Sequence, residues 1–134
     1  MREIKVGAAA QFAKTVSEVD VYLYAGLSDD FNPAHINEAH ARKPVFKTRI
    51  AHGMPAAGFI SAVLGTQLPA PGSIYIRQEL NFLAPVHMGD TITARVEVVE
   101  VDNGKKRVRM RTTCVNQNSE TVLDGEAVVS PPRR

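Results

Sequence analysis

The sequence carries little from which covalent or strongly electrostatic function could be built. Of its 134 residues one is cysteine, Cys114, and none is tryptophan. A lone cysteine closes no internal disulfide, and without a CxxC partner it excludes a thiol redox pair and a zinc–cysteine cluster. The four histidines have no metal-site spacing, so no metal is expected. A net charge of +2 is too small to hold a nucleic acid backbone. With 44% hydrophobic and 22% charged residues the composition is that of a folded globular chain, which excludes disorder. Repeats, low-complexity tracts and linkers are missing too. Residues 1–134 are therefore expected to form one domain with a core of its own.

A long apolar run is also lacking. Residues 53–76 contain no Asp, Glu, Lys or Arg, but Pro55, Pro69, Pro71 and several glycines interrupt them. The unbroken part is shorter than the roughly 20 residues that cross a bilayer. Met1 to Val6 shows no secretory apolar core, and Glu3 speaks against a transit peptide. The expectation is a soluble, cytoplasmic protein with no membrane partner.

What is present is concentrated in two places. Ser28-Asp29-Asp30-Phe31-Asn32-Pro33-Ala34-His35 sets a carboxylate and an imidazole five positions apart around a rigid Asn-Pro turn. Ala51-His52-Gly53-Met54 then opens the uncharged segment. An acid and a base on a turn, facing the start of a buried helix, can add water to an activated double bond.

Periodicity places these fragments. An extended segment over 8–16 precedes a helix over 18–28, capped by Ser17, with Glu18 and Asp20 favoured by the dipole in its first turn. The turn Asp30–Pro33 ends that helix, and a short helix is expected at Asn37–Arg42. From Met54 to Gln67 the chain is apolar nearly all round, the pattern of a buried helix, with Pro55 tolerated in its first turn. After the Pro69–Gly72 turn the period becomes two. Ile74, Ile76, Leu80 and Phe82 are expected on one face, and Tyr75, Arg77, Glu79 and Asn81 on the other. Residues 91–101 alternate and slip at Val98-Val99, the mark of a bulge, and Asp102-Asn103-Gly104 is a hairpin turn. Val108, Met110, Thr112 and Cys114 then oppose Arg107, Arg109 and Arg111, and a last strand over 121–129 completes a meander. One buried helix followed by at least four antiparallel strands predicts an α+β fold, a sheet wrapped around that helix.

Ser-Asp-Asp-Phe-Asn-Pro-Ala-His, then His-Gly-Met, Pro-Gly-Ser-Ile-Tyr and Phe-Leu-Ala-Pro-Val-His-Met-Gly-Asp resemble, in order and spacing, the MaoC-like (R)-specific enoyl-CoA hydratases. The resemblance runs from about Val6 to Val129. It implies a hot-dog fold, a curved antiparallel sheet around a central helix, paired as a homodimer. It implies Asp30 and His35 as the acid–base pair, Gly53 as the oxyanion-hole amide, and Ser61 in the same pocket, with Asn32 and Met54 as further substrate-binding positions. The substrate is an acyl-CoA, and no cofactor beyond that coenzyme A is expected.

The residues make sense of that chemistry. Asp30 can take a proton from water as it attacks C3, with His35 orienting the water, and either residue could protonate C2. A helix N-terminal amide at Gly53 meets the charge growing on the thioester oxygen, with no Cβ in the way. The alternative on similar chemistry is a 3-hydroxyacyl-[acyl carrier protein] dehydratase. A thioesterase is disfavoured because no carboxylate stands on the central helix, and a non-catalytic acyl-binding module has no use for an acid placed against a helix dipole. His52 reads as a polar residue preceding the helix, and His40 and His87 as solvent-facing. Cys114 reads as inert core, and the stripe Arg107, Arg109, Arg111 with Lys105 and Lys106 most simply as a solvated sheet face, the minority reading being that some of them meet the phosphates of coenzyme A.

Overall fold

The computed structural model describes residues 4–28, 50–51, 54–68 and 72–131. Strand β1 (Ala9–Thr15) leads into helix α1 (Glu18–Ser28). After β2 (Ile50–Ala51) come helix α2 (Met54–Thr66), β3 (Ile74–Phe82), β4 (Val86–His87), β5 (Thr91–Asp102), β6 (Arg107–Val115) and β7 (Thr121–Ser130). Five strands form one antiparallel sheet in the order β1-β5-β6-β7-β3, while β2 and β4 pair separately. The expected turn at Asp30–Pro33 and helix at Asn37–Arg42 lie outside the described residues.

Helix α1 starts where Ser17 allows it. The Ser17 hydroxyl accepts from the Asp20 amide at 3.1 Å, and the Asp20 carboxylate accepts from the Ser17 amide at 3.0 Å. This reciprocal cap satisfies two amides that lack helical partners and is worth about 1 kcal/mol. Lys14 on β1 donates to the same carboxylate, so the cap also ties the helix to the sheet. That ammonium, followed by the Ser17 amide, holds the Asp20 carboxyl below the usual carboxylate range.

The meander β5-β6-β7 follows the alternation. Ile92, Ala94, Val96 and Val98 on β5, and Val108, Met110, Thr112 and Cys114 on β6, are buried on one face. Helix α2 packs over β1, β5 and β6 on that face through Ala56, Ile60, Val63 and Leu64. The slip expected at Val98-Val99 is a register shift between Val98 and Glu100. The hairpin after Asp102 has a four-residue loop in which Lys106, at φ 55°, takes the left-handed position. The Asp102 carboxylate accepts from the Lys105 amide at 3.0 Å and closes it. On the opposite face Arg109 donates to Glu126 at 2.9 Å and to Glu100 at 3.5 Å, and Arg95 to Glu97 at 2.8 Å. The basic stripe is thus a solvated face interleaved with carboxylates.

Three expectations are corrected. In β3 the pairs Tyr75↔Val129 and Arg77↔Val128 leave Ile76 as an inserted residue. That bulge reverses the parity before it: Tyr75 joins Gln78, Leu80 and Phe82 on the inner face, and Ile74 falls on the outer one. Second, α2 is buried along one stripe only. Gly58, Ser61, Ala62 and Thr66 are exposed, because the helix covers β1, β5 and β6 and leaves the inner face of β3 uncovered. Third, His87 does not face solvent; it is half-buried, and its Nδ1 is buried with no hydrogen-bond partner among the described residues.

Strand β7 approaches β3 closely at Gly125. A Cβ added there would lie 1.8 Å from the Glu79 carbonyl oxygen and 2.7 Å from its carbon. Both atoms are backbone, so Gly125→Ala forces the strands apart. We expect a loss of about 3 kcal/mol, read as a lower urea midpoint at unchanged slope; an unchanged midpoint would contradict the geometry. Cys114 is fully buried, with its Sγ 3.5 Å from the Ala56 carbonyl oxygen, and burial pushes its thiol up to about 12. The folded state therefore keeps this proton while the unfolded state loses it near 9.0, so stability falls as pH rises above that value. At pH 8 an aromatic disulfide reagent should leave the native protein unmodified and label it on unfolding.

Candidate active site

Four of the residues expected at the site, Asp30, Asn32, His35 and Gly53, lie outside the described residues, as do His40 and His52. The structure does show the elements that carry the chain to and from them. Helix α1 runs to Ser28, directly before Asp29-Asp30, and its last turn contains no basic residue. Strand β2 runs to Ala51, directly before His52-Gly53, and α2 begins at Met54 with no acid in its first turn.

β2 is held by β4, with Ile50 opposite His87 and Ala51 opposite Val86. β4 is itself clamped through the Gly89-Asp90 turn. Gly89 sits at φ 91°, a conformation suited to glycine. The Asp90 carboxylate, almost fully buried, accepts from the His87 amide at 2.8 Å and from Gln117 Nε2 at 2.9 Å. The Gly89 amide donates to the Val16 carbonyl, and the Val16 amide to the Asp90 carbonyl, both at 2.8 Å. The Val86–Asp90 fragment therefore works as scaffold: it fixes the short strand from which the chain enters His52-Gly53.

Two cavities flank the N-terminal half of α2. The first, about 290 Å³, lies between α1 and the sheet and is lined by Val21, Leu27, Ala56, Phe59 and Ile92, with Lys14 and Asp20 among its few polar groups. Phe59 is fixed there by the edge-to-face Phe12 ring at 6.0 Å and by the Lys14 ammonium 5.9 Å from its centroid. The second, about 550 Å³ and more open, lies between the uncovered flank of α2 and β3. Ala57, Gly58 and Ser61 form one wall, Tyr75, Gln78 and Leu80 the other. Tyr24 of α1 lines both cavities.

This puts the C-terminal half of α1 and the N-terminal half of α2 at the same cavities. Ser61 lines the second cavity. Met54 is the first residue of α2. Among the described residues no three histidine, cysteine or carboxylate side chains are placed to hold a metal.

One part of the site was missed in the sequence. Tyr75 donates its hydroxyl to Gln78 Oε1, and Gln78 Nε2 donates to the Glu79 carbonyl at 2.8 Å, to Thr112 Oγ1 at 3.1 Å and, more weakly, to the Glu126 carbonyl at 3.3 Å. Thr112 is fully buried. Burial pushes the Tyr75 phenol up to about 12, so it stays a neutral donor across the physiological range. The available signal was Gln78 itself, the polar residue that interrupts the apolar alternation of β3.

Residues 3–119 match the family model for the MaoC-like domain. The chain is 58% identical to the (R)-specific enoyl-CoA hydratase of Rhodospirillum rubrum over 98% of its own length and 91% of that protein. The solved (R)-hydratase of Aeromonas caviae superposes with a TM-score of 0.95 at 39% identity, covering 98% of this chain and all of that one. An unliganded (R)-hydratase from Pseudomonas aeruginosa gives a TM-score of 0.94 at 43% identity, over 98% of this chain and 84% of that one. With its antiparallel sheet around α2 in the hot-dog arrangement of those hydratases, the chain belongs to the MaoC-like domain family.

Proposed function

We propose that this protein is an (R)-specific enoyl-CoA hydratase, a hydro-lyase that reversibly adds water to trans-2-enoyl-CoA and gives (R)-3-hydroxyacyl-CoA. The observation that carries the reading is 58% identity along nearly the whole chain to a hydratase of that name. Within that span stand Asp30, His35 and Gly53 in one motif set. Asp30 acts as base, with His35 orienting the water. The oxygen bonds to C3 as the water proton passes to the pair, and the C2–C3 π electrons move onto the thioester oxygen. The Gly53 amide and the positive end of α2 stabilise that charge. Collapse of the enolate takes a proton from the acid–base pair at C2, so one water is consumed and the pair is restored. Asn32, Ser61 and Met54 contact substrate. Coenzyme A is carried by the substrate, and no further cofactor enters the reaction.

The protein works as a homodimer in the cytoplasm. Strand β3 ends the sheet with one backbone edge unpaired among the described strands, and Ile74, Ile76, Phe82 and Leu83 are exposed along it. Such an edge invites pairing with a second copy. Among the described residues no helix is long and apolar enough to cross a membrane.

Loss of enoyl-thioester absorbance with crotonyl-CoA, followed by chiral analysis of the product, tests the activity. The (R)-3-hydroxy product is expected. Release of free thiol would mark a thioesterase, and turnover confined to acyl carrier protein thioesters would mark the dehydratase. Asp30→Asn and His35→Ala should each lower kcat by about 10²–10⁴-fold; near-full activity in Asp30→Asn would remove that residue from the mechanism. Sedimentation should give a dimer, and a monomer at working concentration would refute the edge pairing.

A further inference from the structure

The hydrogen-bonded chain Tyr75–Gln78–Thr112 has no part in the acid–base chemistry, yet it faces the second cavity. The β3 bulge is what aims it there. Without the inserted Ile76, Tyr75 would point to the outer face with Arg77 and Glu79. Its inner-face neighbours across the sheet are Val129 and Val108, both buried. Along the same side of β3, Gln78 and Leu80 stand opposite Ala127 and Gly125, which take little room. Across the cavity, among the described residues, α2 presents Ala57, Gly58 and Ser61. The bulk that bounds the space comes from Tyr24 on α1 and from β3, where the Tyr75 ring stands with Ile76, Arg77 and Leu80.

The Tyr75 ring is held by hydrogen bonds. Its hydroxyl proton is committed to Gln78 Oε1, and the Gln78 amide is committed in turn to two backbone carbonyls and a buried hydroxyl. Swinging the ring aside would leave the amide oxygen of Gln78 without this donor. Tyr75 therefore stands as a fixed wall rather than a rotamer that yields. Ser61 lies about 10 Å of helix rise from Met54, at a depth reached by the tail of an acyl chain rather than by its thioester carbon.

We propose that Tyr75, pinned through Gln78 to Thr112, is the residue that sets the upper limit on acyl-chain length in this cavity. The inference rests on the acyl-thioester reading and adds a specificity-determining position to it. Its occupant is the alkyl tail, which meets the ring as an apolar surface because the hydroxyl is already spent.

The test uses saturated thioesters, which bind without turnover. Binding of butyryl-CoA and octanoyl-CoA is measured by titration calorimetry for wild type, Tyr75→Ala and Tyr75→Phe. Tyr75→Ala should raise the preference for octanoyl over butyryl by about tenfold. Tyr75→Phe, which keeps the ring and loses the pin, should raise it by a smaller factor. A role in folding alone would weaken both ligands equally, and an unmoved ratio in Tyr75→Ala would overturn the proposal. Should the alanine variant fail to fold, Tyr75→Leu repeats the comparison with core bulk retained. Crotonyl-CoA hydration on the same preparations separates the two readings. Turnover with an unmoved ratio sinks the wall alone, whereas wild type that neither hydrates nor binds either thioester sinks both.

Discussion

Everything in this fold hangs on one stripe of α2. Ala56, Ile60, Val63 and Leu64 recur at helical spacing and are buried against Ile92, Ala94, Val96 and Val98 of β5 and Met110 and Cys114 of β6. Each large member contributes about 1.5–3 kcal/mol by leaving water. A helix of this composition has no polar face with which to stand alone, so the sheet must supply its solvent. The contact is tight down to Cys114, whose sulfur touches the Ala56 carbonyl in the first turns of the helix. That packing sets where α2 begins relative to β5 and β6, and hence where its N-terminal end points.

Because α2 sits over β1, β5 and β6, it cannot also cover β3. The sheet is wider than the helix, and the uncovered strip becomes a cavity rather than core. Small residues on the flank of α2 keep that space open: Ala57, Gly58 and Ser61 remove little volume. Large side chains there would have filled it and stabilised the single chain at the cost of the pocket. The same offset leaves Tyr75 and Phe82 exposed on the inner face of β3. Pocket and exposed inner face thus have one geometric origin, an excess of sheet over helix.

The fold was legible where local pattern and tertiary packing agree. On β5 and β6 both faces have fixed partners, so alternation reports burial directly, and even the bulge at Val98-Val99 showed as two adjacent valines. Ser17 and Asp20 announced α1 because the cap is local. β3 was misread because parity counts residues, and one inserted residue reverses it; nothing in Ser73-Ile74-Tyr75-Ile76 distinguishes the insertion from a regular strand. α2 looked wholly buried because Gly58, Ser61 and Ala62 are small enough to read as close packing, whereas here they border open space. His87 has no sequence partner that would mark its burial; it is carried inward by the β2–β4 pairing and the Asp90 clamp. As for the site, the motif order singled out Ser61, which lines the second cavity, while the Tyr75–Gln78–Thr112 chain joins residues 34 positions apart in Gln78 and Thr112 and could not be read along one strand.

The two helix ends that frame the site share an electrostatic property. α1 has no basic residue in its last turn, so its negative end is uncompensated by its own charges, and the sequence continues into Asp29-Asp30. α2 has no acid in its first turn, so its positive end is equally uncompensated. Each omission forgoes about 0.3–1 kcal/mol that a capping charge would contribute. The pattern is not a general neglect of capping, since α1 opens on Glu18, Asp20 and a reciprocal Ser17 cap. Compensation is withheld at the two ends that flank the shared cavities, and also at the far end of α2, whose last turn carries no basic residue. A bare positive end is worth most when the charge that meets it is transient, as on a thioester oxygen during addition of water. At the start of α2 a resident anion would compete for the same field with a charge growing on the substrate.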